Sequence, residues 1–441
     1  MARDQDHTSR LPNSLWAHSA CPAPVTTRLE GKHSSQVVVI GGGFTGLSTA
    51  LHLAEAGKQV ILLEASEIGF GGSGRNVGLV NAGLWTPPED IEAILGKEAG
   101  SKLYAALGKA PDLVFSLIER FDIQCEATRN GTLHLAHSYS GFKDLQNRTR
   151  QLQARGAPVE LLDASKTAAM TGSEYHFGAI LDPRAGTIQP LGYARGLAAA
   201  AQSLGAELYT HSPVTGLERT PGNDGWRVST ASGEVRAESL VLATNAYSTD
   251  LGIGLEQTFT PLHFFQFASA PLDAEILKHV LPGKQGCWDT RQVMTSLRLD
   301  RSGRIILGSV GKFAGESSDF LQGWAGDQLR KLFPDLYPRM VDQCAGSIWR
   351  HGWTGRIAYS HDHLPHLHLP SPGLIACIGY SGRGIGPGTV MGKAIAEHLL
   401  GAPLAALPLP VTEPRKVACR RLKEQYYTRG SDLYHLYQRM L

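Results

Sequence analysis

The sequence has no apolar run near the roughly 18 residues that a membrane-spanning helix needs, so no integral membrane protein is predicted. Residues 1–24 have no hydrophobic core of the kind found in secretory signals. The six cysteines are scattered without a CxxC pair or a metal-ligand spacing, so a reduced, cytoplasmic chain is expected. The net charge of +2 favours no nucleic-acid partner.

Glycine, by contrast, is abundant, and its first cluster follows a short β-branched run. Gln36–Ile40 predicts a buried parallel strand, and Gly41, Gly43 and Gly46 follow in the GxGxxG spacing. An amphipathic helix and a second strand come next, and that strand ends at Glu64. This order predicts a dinucleotide site with its phosphates at the helix N-terminus. An acid at position 64 suits a ribose 2′-hydroxyl, which favours FAD or NAD over NADP.

A second glycine cluster lies far along the chain. Residues 373–401 predict a strand, a glycine-dense loop and an amphipathic helix, whose N-terminus would face an anion or a carbonyl. Between the clusters, residues 208–248 alternate like a small antiparallel meander that ends in a buried strand. An NAD-linked dehydrogenase would give the distant loop no role. FAD is therefore favoured, and the NAD-linked enzyme is kept as the alternative from another class.

Four segments together resemble one known family. The opening motif, SGRN at 73–76, LVLATNAY at 240–247 and GYSGRGIGPGTVMGK at 379–393 resemble the D-amino-acid-oxidase-type flavoproteins. The resemblance runs from about residue 37 to residue 401, and it is strongest to the γ-glutamylputrescine oxidase and L-pipecolate oxidase branch. It implies a mixed α/β fold, in which a Rossmann-like FAD-binding domain is interleaved with a substrate domain built on an antiparallel sheet.

The predicted domains follow from this resemblance. Residues 1–35 form an N-terminal arm that packs Trp16 on the body, 36–96, 191–253 and 346–401 form the FAD-binding domain, and 97–190 and 254–345 form the substrate domain. Residues 402–441 form a basic, tyrosine-rich tail. The tail is predicted as one or two surface helices, and a peripheral contact with the inner face of a membrane stays open as the alternative.

The resemblance also implies the cofactor residues. The expected FAD contacts are Gly41, Gly43, Phe44, Thr45, Gly46, Glu64, Ala65, Gly72, Ser73, Arg75, Asn76, Val77, Gly78, Leu79, Val214, Ala243, Thr244, Asn245, Gly384, Ile385, Gly386, Gly388 and Thr389. Glu64 is expected at the adenosine ribose and Val214 at the adenine. No cysteine falls in the glycine loop or in SGRN, so FAD is expected to be non-covalent.

The implied chemistry is oxidation of a carbon–nitrogen bond by hydride transfer to flavin. A carboxylated substrate would need a cationic or phenolic clamp. The preferred pocket candidates are His351, Arg383, Tyr247, Gln266 and Trp353, and further candidates are Phe264, Phe265, Arg291 and Arg298. Each of these residues could instead have a purely structural role, as a solvent-exposed arginine, a histidine whose hydrogen bonds are made within the protein, or an aromatic residue of the core.

The expected substrate is a secondary amine or amino acid, with L-pipecolate first and γ-glutamylputrescine second. Molecular oxygen or a quinone would accept the electrons. A flavin-binding protein without turnover is the remaining alternative. The histidine-rich stretch HDHLPHLH at 361–368 contains an Asp-x-x-Pro of the family and lacks a carboxylate cluster, so no metal site is predicted there.

Overall fold

The secondary structure follows the predicted strand–turn–helix order at the start of the chain and alternates between strands and helices after it. The computed structural model describes residues 10–222, 224–312, 317–344 and 346–440. The helices are α1 Leu15–Ser19, α2 Phe44–Glu55, α3 Pro88–Leu95, α4 Lys97–Gly108, α5 Ala110–Arg120, α6 Tyr139–Gln153, α7 Ala164–Thr171, α8 Pro190–Ser203, α9 Ala274–Leu277, α10 Ser317–Leu332, α11 Tyr337–Gln343, α12 Ile385–Leu399 and α13 Arg420–Met440. The strands are β1 Gly31–Ile40, β2 Val60–Leu63, β3 Leu79–Val80, β4 Thr132–Leu135, β5 Glu160–Leu162, β6 Ala179–Asp182, β7 Gly186–Thr187, β8 Glu207–Tyr209, β9 Val214–Arg219, β10 Trp226–Thr230, β11 Gly233–Leu242, β12 Thr260–Pro271, β13 Gly286–Asp289, β14 Thr295–Leu299, β15 Arg304–Val310, β16 Trp349–Tyr359, β17 His366–Ser371 and β18 Leu374–Ile378.

The first sheet is built around β1, in the order β17-β18-β11-β1-β2-β8. The five strands from β18 to β8 run parallel, and β17, β10 and β9 extend the sheet with antiparallel pairs. Val37 and Val39 enter one hydrophobic core, whereas Val38 and Ile40 enter another on the opposite face. Burial on both faces explains why this strand reads as a continuous apolar run.

The second sheet has the order β16-β12-β15-β14-β13-β4-β6-β5 and is antiparallel except where β13 meets β4. Phe265 and Phe267 of β12 pack with Trp324 of α10 in the core beneath it. The predicted mixed α/β class is therefore confirmed, with one largely parallel and one largely antiparallel sheet.

The helices α1 and α13 both pack against this body. Trp16 of α1 is fully buried, and its Nε1 donates to the carbonyl of Asn76 at 2.8 Å, as expected for the arm. The tail contains α13, whose His435 bonds the carbonyl of Val310 at 2.8 Å. Within the described residues, no helix is both long and apolar enough to cross a membrane. A membrane-surface contact of the tail stays a prediction.

Three predicted domain boundaries need correction. Residues 31–35 belong to β1 and not to the arm. The strand 349–359 pairs with β12 in the second sheet, although the sequence groups it with the FAD-binding segments. Leu103 of α4 and Val114 of α5 enter the core of the first sheet, so residues 97–120 do not belong with the substrate segments. In each case the contact that assigns the segment to a domain joins residues that are distant in sequence. A local sequence pattern does not reveal such a contact.

Candidate active site

The glycine turn after β1 allows three backbone segments to meet. Gly41 has φ +112°, and a Cβ on it would lie 2.7 Å from the carbonyl oxygen of Ala243. A Cβ on Gly46 would lie 2.0 Å from the carbonyl oxygen of Gly41. Gly46 therefore lets α2 pack directly on the turn, which is the role of the third glycine in this motif.

Glu64 lies at the end of β2, beside the glycine turn. Its Oε2 accepts a hydrogen bond from the amide of Gly42 at 2.7 Å, and its Oε1 accepts one from the amide of Ser66 at 2.9 Å. Burial raises the pKa of Glu64, and these two hydrogen bonds oppose that shift. The carboxylate thus holds the turn in shape and also lines the cavity described next.

One cavity of 880 Å³ runs from the glycine turn to the second sheet. The expected FAD contacts on its wall are Gly41, Gly43, Phe44, Thr45, Glu64, Ala65, Gly72, Ser73, Asn76, Val77, Leu79, Val214, Ala243, Thr244, Asn245, Gly384, Ile385 and Gly386. They come from segments spread over nearly 350 residues of sequence, so the fold brings together most of the predicted site.

Five expected FAD contacts do not line the cavity: Gly46, Arg75, Gly78, Gly388 and Thr389. The guanidinium of Arg75 lies 4.6 Å from the ring of Phe70, and its Nε donates to the carbonyl of Phe70. A Cβ on Gly78 would lie 2.1 Å from the carbonyl oxygen of Ile188. Arg75 and Gly78 therefore pack against the protein itself, and a direct contact of these five residues with FAD stays a prediction.

The second glycine loop leads directly into α12. The helix begins at Ile385, so Gly388 and Thr389 lie inside it and not in the loop. Thr389 is fully buried, and its carbonyl accepts a hydrogen bond from Ser48 of α2 at 2.7 Å. The α2 and α12 helices therefore pack closely behind the cavity.

The N-termini of two helices face this cavity. Gly43 is the N-cap of α2 and Gly384 is the N-cap of α12, and as glycines they provide no side-chain cap of their own, although Ser73 Oγ accepts a hydrogen bond from the amide of Phe44 at 3.1 Å. A Cβ on Gly384 would meet open space. The positive end of each helix dipole suits phosphates at α2 and an electron-rich ring at α12. A cavity with two such ends fits an extended dinucleotide.

Three of the five preferred pocket candidates line the cavity: Tyr247, Gln266 and Arg383. The hydroxyl of Tyr247 accepts a hydrogen bond from the amide of Arg356 at 3.2 Å. Gln266 lies on β12 and is buried, and its Oε1 has no hydrogen-bond partner among the described residues. An unpartnered buried amide oxygen on a cavity wall can accept a hydrogen bond from a ligand.

His351 and Trp353 do not line the cavity, and their prediction as pocket residues is corrected. Trp353 is buried against Trp16 with ring centroids 5.8 Å apart, and its Nε1 donates to the carbonyl of Arg75 at 2.8 Å. The ring of His351 lies 5.8 Å from that of His18. Both sit in the first half of β16, while only its second half reaches the cavity.

Of the four further pocket candidates, two line the cavity and two do not. Phe264 and Arg291 line the cavity, but Phe265 and Arg298 do not. Arg298 is fully buried, and its Nη1 donates to the carbonyl of Ile188 at 2.6 Å and to that of Val77 at 3.2 Å. Arg298 is thus a structural residue that satisfies backbone carbonyls.

Arg383 lies in a pair of aromatic side chains that the sequence analysis missed. Its guanidinium carbon is 4.6 Å from the ring of Trp85 and 4.8 Å from that of Trp288. The two indole rings stand nearly perpendicular, with centroids 6.2 Å apart. An Arg between two tryptophans is a favourable cation–π arrangement. Isolated tryptophans carry no pattern that reveals such a pairing.

The charge on Arg383 is poorly compensated by the protein. Arg383 is 8% exposed, and among the described residues it has no ion pair with an acid. Its Nη1 approaches the carbonyl of Ala82 at only 3.5 Å, and its Nε has no hydrogen-bond partner within the ranges that the structure describes. Burial, reinforced by the like charge of Arg148, lowers the pKa of Arg383 to about 9.

The family model for "DAO: FAD dependent oxidoreductase" matches residues 36–398. This chain belongs to the DAO family of FAD-dependent oxidoreductases. It is 29% identical to the γ-glutamylputrescine oxidoreductase of Escherichia coli over 433 residues, which covers 96% of this chain and 98% of the relative. It is 29% identical to the probable oxidoreductase OrdL of Haemophilus influenzae, over 86% of this chain and 85% of the relative.

Solved structures share the DAO fold. Glycine oxidase from Geobacillus kaustophilus superposes with a TM-score of 0.68 at 22% identity, covering 86% of this chain and 99% of that chain. L-proline dehydrogenase from P. horikoshii superposes with a TM-score of 0.67 at 20% identity, covering 86% of this chain and 97% of that chain. The protein is an enzyme of this family, an FAD-dependent oxidoreductase of amines or amino acids. FAD thus replaces the NAD-linked alternative.

Proposed function

We propose that this DAO-family enzyme oxidises the carbon–nitrogen bond of a compact secondary amino acid, with L-pipecolate as the first candidate. The observation that carries the proposal is Arg383, a buried cation on the cavity wall that forms no ion pair with an acid in the described part of the chain. A buried charge is costly unless it is paired, and a substrate carboxylate is the natural counter-ion. Trp85 and Trp288 line the cavity beside it and add apolar surface for a saturated ring.

The residues around this position then have separate tasks. FAD, when bound, supplies the chemistry by accepting the hydride from the carbon next to the nitrogen. Arg383 holds the carboxylate, which fixes the orientation of the substrate. The free Oε1 of Gln266 accepts a hydrogen bond from the amine N–H. The indoles of Trp85 and Trp288 exclude water from the reacting carbon.

A second candidate substrate is γ-glutamylputrescine. What favours it is the similarity to the Escherichia coli γ-glutamylputrescine oxidoreductase along almost the whole chain. The reaction class is the same, but the amine is longer and its carboxylate is far from the reacting carbon. Under this alternative, Arg383 would not contribute to binding close to the amine. Molecular oxygen and a quinone both remain predicted electron acceptors.

The role of Arg383 can be tested with Arg383→Met, which keeps the length of the side chain and removes its charge. Losing a buried charge pair costs about 2–4 kcal/mol, which corresponds to a rise in KM for L-pipecolate of roughly 30- to 700-fold. Piperidine has the same ring without the carboxylate, so its KM should change little. The matched control is Arg236→Met, at an exposed position on β11.

Steady-state kinetics on both amines separates the outcomes. A large loss for L-pipecolate alone supports the carboxylate clamp. Equal losses for both amines, with flavin content unchanged, would mean that Arg383 shapes the cavity without binding the carboxylate. Wild-type kinetics that do not distinguish the two amines would contradict the proposal at the outset.

A further inference from the structure

A cluster of two histidines and one aspartate lies where β16 connects to β17. The Nε2 of His366 is 3.0 Å from Oδ1 of Asp362, and the Nε2 of His361 is 3.9 Å from Oδ2 of the same carboxylate. One ligand atom from each of the three residues lies within 4.8 Å of the others. The proposed oxidation uses none of these residues.

The spacing of these atoms suits a small transition-metal ion. Zinc binds imidazole nitrogen at about 2.0–2.1 Å and carboxylate oxygen at about 2.0–2.2 Å in a tetrahedron, so neighbouring ligand atoms lie roughly 3.3–3.5 Å apart. The two imidazoles approach different oxygens of the Asp362 carboxylate, at 3.0 and 3.9 Å, so a small movement of His361 would bring the three ligand atoms to this spacing. Imidazole nitrogens favour zinc, copper or nickel over magnesium or calcium.

Two of the three ligands are already held in place. Asp362 Oδ1 accepts a hydrogen bond from the amide of Leu364 at 3.1 Å, which orients the carboxylate. His366 begins β17 and is paired with Ile378 of β18. The side chain of His361 is 56% exposed, so it can rotate toward the other two at little cost. The exposed side leaves a fourth position for water.

We propose that His361, Asp362 and His366 bind one divalent cation of the zinc class at the edge of the flavin cavity. The site adjoins the second glycine loop, because a Cβ on Gly379 would lie 3.7 Å from Cδ2 of His366. His363, between the ligands, lines the cavity and bonds the hydroxyl of Tyr359 at 2.9 Å. A bound cation would therefore order the segment that lines this part of the cavity.

The test is isothermal titration of zinc chloride into the purified, tag-free holoprotein, with metal content measured after gel filtration. We expect one zinc ion per chain in the wild type. His361→Ala should lower the affinity by at least about tenfold, since it removes one of three ligands. This position is exposed, so the variant should fold normally. Asp362→Asn is the second variant, and His279→Ala, an exposed histidine elsewhere, is the control.

The outcomes are distinct. Stoichiometric zinc in the wild type and the control, with weakened binding in both cluster variants, supports the site. A wild type that retains no zinc would overturn the proposal. So would cluster variants that bind zinc as tightly as the wild type, because the ion would then lie elsewhere. None of these readouts depends on turnover, so the result is independent of the proposed substrate.

Discussion

Replacing Glu64 tests the structure of the glycine turn and the cofactor site together. Its two carboxylate oxygens accept hydrogen bonds from the amides of Gly42 and Ser66 at 2.7 and 2.9 Å. Glu64→Gln keeps one acceptor oxygen and turns an NH₂ group toward the other amide, so one of these bonds is lost. Glu64→Ala loses both. A hydrogen bond to a charged group contributes about 1.5–3 kcal/mol.

The two variants should therefore form a graded series. Loss of one such bond at the dinucleotide turn corresponds to a rise in the Kd of FAD of roughly 10- to 150-fold, and Glu64→Ala should exceed Glu64→Gln. The assay is titration of apoprotein with FAD, followed by flavin fluorescence, together with the Tm of each apoprotein. Glu238→Gln, at an exposed position, is the matched control.

Two results would refute this reasoning. If Glu64→Gln binds FAD with wild-type affinity and has the wild-type Tm, the carboxylate neither supports the turn nor contacts the cofactor. If Tm falls but FAD affinity does not, Glu64 acts on the fold alone, and its predicted contact with the ribose is wrong.

Two further predictions concern the cavity wall and the pH dependence of stability. Gly43→Val should give colourless protein, because a Cβ there lies 2.8 Å from Ser73 Oγ and the branched side chain enters the cavity; full flavin content would show that the dinucleotide binds elsewhere. Burial and the nearby charge of Arg291 lower the pKa of His176 to about 3 in the folded protein. As the pH falls below 6.5, the unfolded chain therefore binds a proton at His176 that the folded protein does not, and the free energy of unfolding decreases. His176→Gln removes this proton uptake, and its Tm should fall less than that of the wild type from pH 7 to pH 5; equal losses would contradict the assignment.

The parts of the site that are contiguous in sequence could be predicted from it. The segment from Gln36 to Glu64 contains a strand, the glycine turn, a helix, a second strand and the acid within 30 residues, and each of these has a local sequence signature. The structure brings it together with Ala243 and Gly384, as the family resemblance implied. Only the family resemblance predicted that these distant segments meet, because residue patterns alone do not specify long-range contacts.

The substrate side was predicted less well, for physical reasons. Trp353 and Gln266 are cross-strand partners on neighbouring strands, yet only Gln266 reaches the cavity. A strand pattern does not reveal which side chains of a sheet are covered by α1 and which stay open to a ligand. Arg298 and Arg383 are both buried arginines, but one bonds backbone carbonyls and the other stacks between two indoles. Only the tertiary fold separates these roles.

The most direct test of the central claim is an anaerobic visible spectrum of the purified protein, titrated with amines and amino acids. The panel includes L-pipecolate, L-proline, sarcosine and γ-glutamylputrescine. We expect a yellow protein whose flavin band is bleached by at least one of them, with L-pipecolate the most effective. A yellow protein that none of them bleaches would contradict the proposed substrate class, and bleaching by γ-glutamylputrescine alone would move the assignment to the longer amine.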